Sequence, residues 1–172
     1  MRKATVVAWM MGVALAVSPG AVRAAQAQLA LAGGSERVRS GVEPAELEAR
    51  AEALFAAPKK YGQAVKLYVQ AADLREPGDP QRVTDLVMAS RLAFYDGKKG
   101  RASDLMLRAA NEALAAGDIV NAAHAYIDAS FLAQEMGNGA VVVELVKKAQ
   151  LLTASPLIAR TDRTAILARI TA

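Results

Sequence analysis

Three glycines, Gly97, Gly117 and Gly137, stand 20 residues apart, each behind a stretch of good helix formers. Glycine accepts the left-handed backbone that closes a helix, so this even spacing divides the chain into helix-plus-turn units of fixed length. A second pattern spans two such units. Ala89-Ser90-x-Leu92-Ala93-x-x-x-Gly97 returns 40 residues later as Ala129-Ser130-x-Leu132-Ala133-x-x-x-Gly137. The register continues through Asp104-Leu105 against Glu144-Leu145 and Ala109 against Ala149. A weaker copy lies 38 residues earlier, where Ala51, Leu54, Ala64, Leu67 and Ala71 match Ala89, Leu92, Ala102, Leu105 and Ala109. A period of this size is that of stacked two-helix units, each covering the apolar face of its neighbour.

Composition agrees with helix. The 172 residues include 39 alanines and only 5% aromatics, with Leu, Arg, Glu and Gln abundant. That length suits one domain. No cysteine and a single histidine exclude a disulfide scaffold and a thiolate metal site. Punctuation places helices over about 44–57, 61–75, 80–95 and 100–116, then a fifth capped by Asp118 and reaching Met136, and a sixth over 139–152. Asp79-Pro80 is a cap followed by proline at the first helical position. Ser155-Pro156 predicts the start of a seventh helix by the same logic.

The first 24 residues read as a secretory signal. Arg2 and Lys3 give a positive start, residues 4–17 form an uncharged apolar run, Pro19 and Gly20 break it, and Val22-Arg23-Ala24 offers small residues to a peptidase. The run is too short to span a bilayer, so cleavage is expected after Ala24, or after Ala27, rather than retention as an anchor. Residues 25–43, with Gly33, Gly34, Ser35, Ser40 and Gly41, are expected to form a flexible leader before a domain over 44–172. Cleavage would leave 18 basic and 17 acidic residues, a balance that favours neither nucleic acid nor anionic lipid as partner. The expected setting is a bacterial periplasm or the cell exterior, with no integral membrane segment in the mature chain.

The stretch Tyr61-Gly-Gln-Ala64-Val-Lys-Leu-Tyr68-Val-Gln-Ala71-Ala-Asp-Leu74, followed by Pro77, resembles the second helix of a tetratricopeptide repeat. Gly97, Ala102, Met106 and Ala109 continue that likeness, as do Gly137, Val142, Val146 and Ala149. Tyr126, Ala129, Ser130 and Ala133 resemble the first helix. The units are longer than is usual for the family, and its tryptophan position holds Glu48, Leu86 and Tyr126. The resemblance covers about 44–152 and implies a right-handed α-solenoid of about three antiparallel helix pairs, over 44–78, 79–116 and 117–154. The segment 155–172 would form a solvent-facing cap, or a docking surface for a partner or second copy.

The same resemblance implies that the first helix of each pair lines a concave surface. Carried over position by position, this gives Thr84, Val87, Arg91, Phe94 and Tyr95 on one helix, and His124, Ile127, Phe131, Gln134 and Glu135 on another. The helix before them supplies only Glu46, Ala49, Ala53, Ala56 and Ala57, a plain surface. Thr84, Arg91, Tyr95, His124, Ile127, Phe131 and Gln134 are thus the candidate peptide-binding groove. The competing reading buries Val87, Phe94, Ile127 and Phe131 between stacked helices.

Catalytic chemistry finds little to work with. His124 and Asp128 share a helix face but have no nucleophile or second ligand with them. Gly97-Lys98-Lys99-Gly100 lacks the spacing of a phosphate loop, and Asp73, Glu76 and Asp79 lack the ligand order of a calcium loop. No catalytic residue, cofactor or metal is therefore expected. The expected function is a non-catalytic interaction module gripping a protein segment, with a self-associating structural protein as the alternative and an enzyme as a remote one.

Overall fold

The computed structural model describes residues 41–55 and 60–171, so the expected signal segment and leader, up to residue 40, lie outside the described residues. Among these, seven helices follow one another with no strand: α1 (Pro44–Phe55), α2 (Tyr61–Leu74), α3 (Pro80–Tyr95), α4 (Lys99–Ala115), α5 (Ile119–Glu135), α6 (Gly139–Thr153) and α7 (Arg160–Thr171).

The evenly spaced glycines make one turn three times. Gly97, Gly117 and Gly137 have φ of 75°, 79° and 73°. Behind each, the following residue donates its N–H back to an alanine carbonyl: Lys98 to Ala93, Asp118 to Ala113, Asn138 to Ala133, all at 2.9 Å. Each glycine N–H bonds one turn back as well, to Phe94, Leu114 and Gln134. Paired bonds of this kind satisfy helix-end carbonyls that would otherwise lack partners. A Cβ on Gly117 would touch nothing within 4 Å, so only its backbone conformation penalises substitution. Gly117→Ala is expected to lower unfolding free energy by about 1–2 kcal/mol in urea titration. Gly100→Ala, in equally open space but with helical backbone, should cause no loss.

Side chains cap the starts of α3, α5 and α6, whereas α2 and α4 begin behind Lys60 and Lys98 without such a cap. The Asp79 side chain accepts the Gln81 N–H at 2.9 Å, and Asp118 accepts that of Asn121 at 3.1 Å. At Ser155-Pro156 the expected helix does not begin; α7 starts at Arg160. Ser155 Oγ does accept from the Leu157 N–H at 3.3 Å, but the chain then turns inward to bury Ile158. The Arg163 guanidinium closes that turn by donating to the Ser155 carbonyl at 3.0 Å. Burial of one isoleucine outweighs the local cap.

Each helix packs on the next, and α7 lies against both α5 and α6. Alanines make the close crossings: Ala64, Ala71, Ala89, Ala102, Ala109, Ala129, Ala133 and Ala149 are wholly inaccessible. Larger side chains fill the remaining space in two clusters. One joins Val65, Tyr68, Leu86 and Leu92, and the other joins Met106, Tyr126, Ile127, Leu145, Ile158 and Ile166. The repeat-matched serines differ in use. Ser90 Oγ donates across to the Ala102 carbonyl on α4, whereas Ser130 Oγ donates within its own helix to Ile127, both at 2.7 Å.

Arg75, just past α2, gathers three carboxylates. Its Nε donates to Asp85 at 2.9 Å, Nη1 donates to Asp79 at 3.3 Å, and Nη2 pairs with Glu48. The hub ties α1, the α2–α3 turn and α3 together. Asp85 is 1% exposed, and its Oδ1 has no hydrogen-bond partner among the described residues.

Candidate functional site

Helical spacing builds the site before any tertiary contact does. On α3, Arg91, Phe94 and Tyr95 share a face, and on α5 so do Asp128, Phe131 and Glu135. The structure brings these two faces together around a cleft of about 280 Å³, whose floor includes Ser90, Leu132 and Met106 of α4. Tyr95 is 62% exposed and Phe131 46%, in a domain whose Leu86 and Leu92 are fully inaccessible.

Charge inside the cleft is unevenly answered. Glu135 pairs with Lys99 at 3.0 Å, and Asp128 pairs with Arg169 of α7. The Lys99 ammonium lies 6.0 Å from the centre of the Phe94 ring. Arg91 is exposed and has no ion-pair or hydrogen-bond partner among the described residues. Two larger hollows, of about 520 and 530 Å³, lie along α4 and between α1 and α2. Neither is lined by an aromatic side chain or joins two of the helices expected to form the groove.

Of the seven candidate residues, Arg91, Tyr95 and Phe131 meet in this cleft. Thr84 sits exposed near the start of α3, bonded to the Pro80 carbonyl at 3.4 Å, and does not line it. Gln134 is exposed and also outside it. Ile127 offers no groove surface: at 1% exposure it belongs to the second core cluster, because its position faces the neighbouring helices rather than the cleft. Buried stripe and groove therefore adjoin on one helix, with Ile127 and Phe131 one turn apart. Asp128, Leu132 and Met106 were not among the expected lining residues. Met106 carried no groove signal because the resemblance takes groove positions only from what it treats as the first helix of each pair, and Met106 lies on α4.

His124 is half-buried and already engaged. Its Nδ1 lies 2.8 Å from Arg169 Nη1, and the same guanidinium reaches Asp128. Because arginine is always a donor, the imidazole accepts through Nδ1 and is neutral. Burial lowers its pKa from 6.5, Arg169 lowers it further, and Asp128 and Asp162 oppose this. A base held below its ordinary value adds stability above that value, and the contribution is lost as pH falls. Acidification through 6.5 and below should therefore loosen α7 more in the native chain than in His124→Gln, which keeps an acceptor but does not titrate. Hydrogen exchange of α7 amides against pH measures this.

Among the described residues no three His, Cys, Asp or Glu groups come together to hold a metal ion, and no helix is long and apolar enough to cross a membrane. No protein-family model matches the chain, and no curated protein matches it.

Proposed function

We propose that the chain is an exported, non-catalytic interaction module that holds a peptide or protein segment in the α3–α5 cleft. The observation that carries this is the meeting of Arg91, Tyr95 and Phe131, exposed, around one cleft. Aromatic and arginine side chains of this kind dominate protein interfaces. The proposed architecture is a right-handed, tetratricopeptide-like solenoid of three helix pairs closed by α7.

One comparison supports an end of the stack at α6. Val65, Val69 and Ala72 on α2 correspond by register to Ser103, Leu107 and Ala110 on α4, and both sets are buried or half-buried. The same positions on α6 are Val143, Lys147 and Gln150, all exposed. Two of the three have become polar where the next pair would have packed, as a terminal unit requires.

Photocrosslinking in the native host, with a probe at Phe131 and a control probe at Lys148, tests the reading. Capture of a foreign protein at Phe131 alone, lost on Arg91→Glu, supports it. Capture of the chain itself supports a second reading, self-association, which Leu151 and Leu157 favour by being 74% and 82% exposed. Silence at both positions removes the cleft from consideration.

A further inference from the structure

The chain contains three phenylalanines and four tyrosines. Of these seven rings, Tyr68 and Tyr126 are buried, but the other five lie outside the inaccessible core. They are contiguous along one edge. Phe55 lies 6.2 Å from Tyr61, Tyr61 lies 6.1 Å from Tyr95, and Tyr95 lies 6.2 Å from Phe94, ring centre to ring centre. Tyr95 and Phe94 then line the cleft together with Phe131. A core built from alanine and leucine has no need of rings at its margin, and 44% of Phe55 remains in solvent. The ledge runs from the end of α1, past the start of α2 and the end of α3, to α5.

The charges at the cleft choose among ligands. Its two carboxylates already have internal cations, Glu135 with Lys99 and Asp128 with Arg169, so a ligand cation would have to displace one of them. Of the charged side chains lining the cleft, only Arg91 has no counter-charge among the described residues. A guanidinium beside apolar rings suits a carboxylate held in two parallel hydrogen bonds. A single open cation does not suit nucleic acid, which needs a basic stripe.

Resting on the cleft as the binding surface, we propose that this edge receives an extended peptide segment in which an Asp or Glu side chain lies beside apolar residues. The carboxylate pairs with Arg91. The apolar side chains lie on Phe131 and Tyr95 and continue along the ledge toward Tyr61 and Phe55. Three ring-to-ring steps are matched by roughly five or six extended residues.

Random dodecapeptides displayed on phage, selected against the mature chain and against Arg91→Glu and Tyr95→Ala, test this. Arg91 and Tyr95 are both exposed, and circular dichroism of each variant checks that the helices remain. Selection on the native chain should enrich peptides carrying Asp or Glu within two positions of Leu, Ile, Met or Phe. Arg91→Glu should turn the charged preference to Lys or Arg while keeping the apolar one. Native-selected peptides should lose about tenfold or more in affinity on either variant. Enrichment without acidic bias, or an acidic bias unchanged by Arg91→Glu, overturns the inference and leaves the cleft as a binding site. Enrichment of nothing on any chain overturns both.

Discussion

Replacing Arg75 with alanine is expected to cost about 3–5 kcal/mol of unfolding free energy, among the largest effects of any single substitution in this domain. The loss comes less from missing attraction than from what stays behind. Asp85, 1% exposed, would lose the cation that favours its charged form, so it must either stay ionised in a buried place or take up a proton, and Glu48 would lie against the same space. Arg75→Ala combined with Asp85→Leu should therefore recover most of the stability, since an apolar side chain there needs no counter-charge. Urea unfolding followed by circular dichroism gives both numbers. Equal losses in the single and double variants would show that the hub does not act through Asp85.

The hub also carries a pH signature. Burial raises the Asp85 pKa to about 6, the Arg75 hydrogen bond opposes this, and the nearby Glu48 charge adds to it. Burial alone would weaken the Arg75 charge too, yet its bonds to Glu48 and Asp85 hold it protonated throughout. The two partners respond differently because one guanidinium is divided among three carboxylates. An acid held above its ordinary value adds stability below that value, and the contribution is lost as pH rises through about 6. Asp85→Asn should thus gain on the native chain as pH climbs from 3.8 through about 6 and hold that gain above it, opposite in sign to the His124 effect.

Leu92→Ala is the second large effect, at about 2–5 kcal/mol. Its repeat partner Leu132 occupies the same place in the sequence pattern but is only half-buried, at the floor of the cleft. Leu132→Ala should cost clearly less, because water already reaches part of the side chain and refills the space. Thermal or urea unfolding of the two variants compares them directly. Equal losses would mean that the two leucines are equally enclosed in solution.

Local signals were the legible ones. The twenty-residue glycine spacing, the Asp79-Pro80 cap and the recurring alanines act within one or two turns, and all three reappear as turns, caps and crossings. Arg91, Tyr95 and Phe131 were recognisable as a group only through the repeat resemblance, and the structure brings them to one cleft. What escaped depends on long reach. Arg169 lies 41 residues from Asp128 and 45 from His124, and no spacing rule joins them. Ile127 and Phe131, one helical turn apart, differ in burial because Ile127 joins the second core cluster while Phe131 lines the cleft, which periodicity does not encode. Ser155-Pro156 misled for the same reason, because a distant core claimed Ile158.

The two core clusters share a wall. On α4, Ala102, Leu105 and Ala109 belong to the first cluster, while Met106 and Ala110 belong to the second. With nearly all packing between successive helices, tension applied at the two ends meets no element that clamps the whole domain at once. Held in an optical trap, the domain should unravel from its termini in separate force steps. The middle helix, α4, which contributes to both clusters, should be among the last to let go.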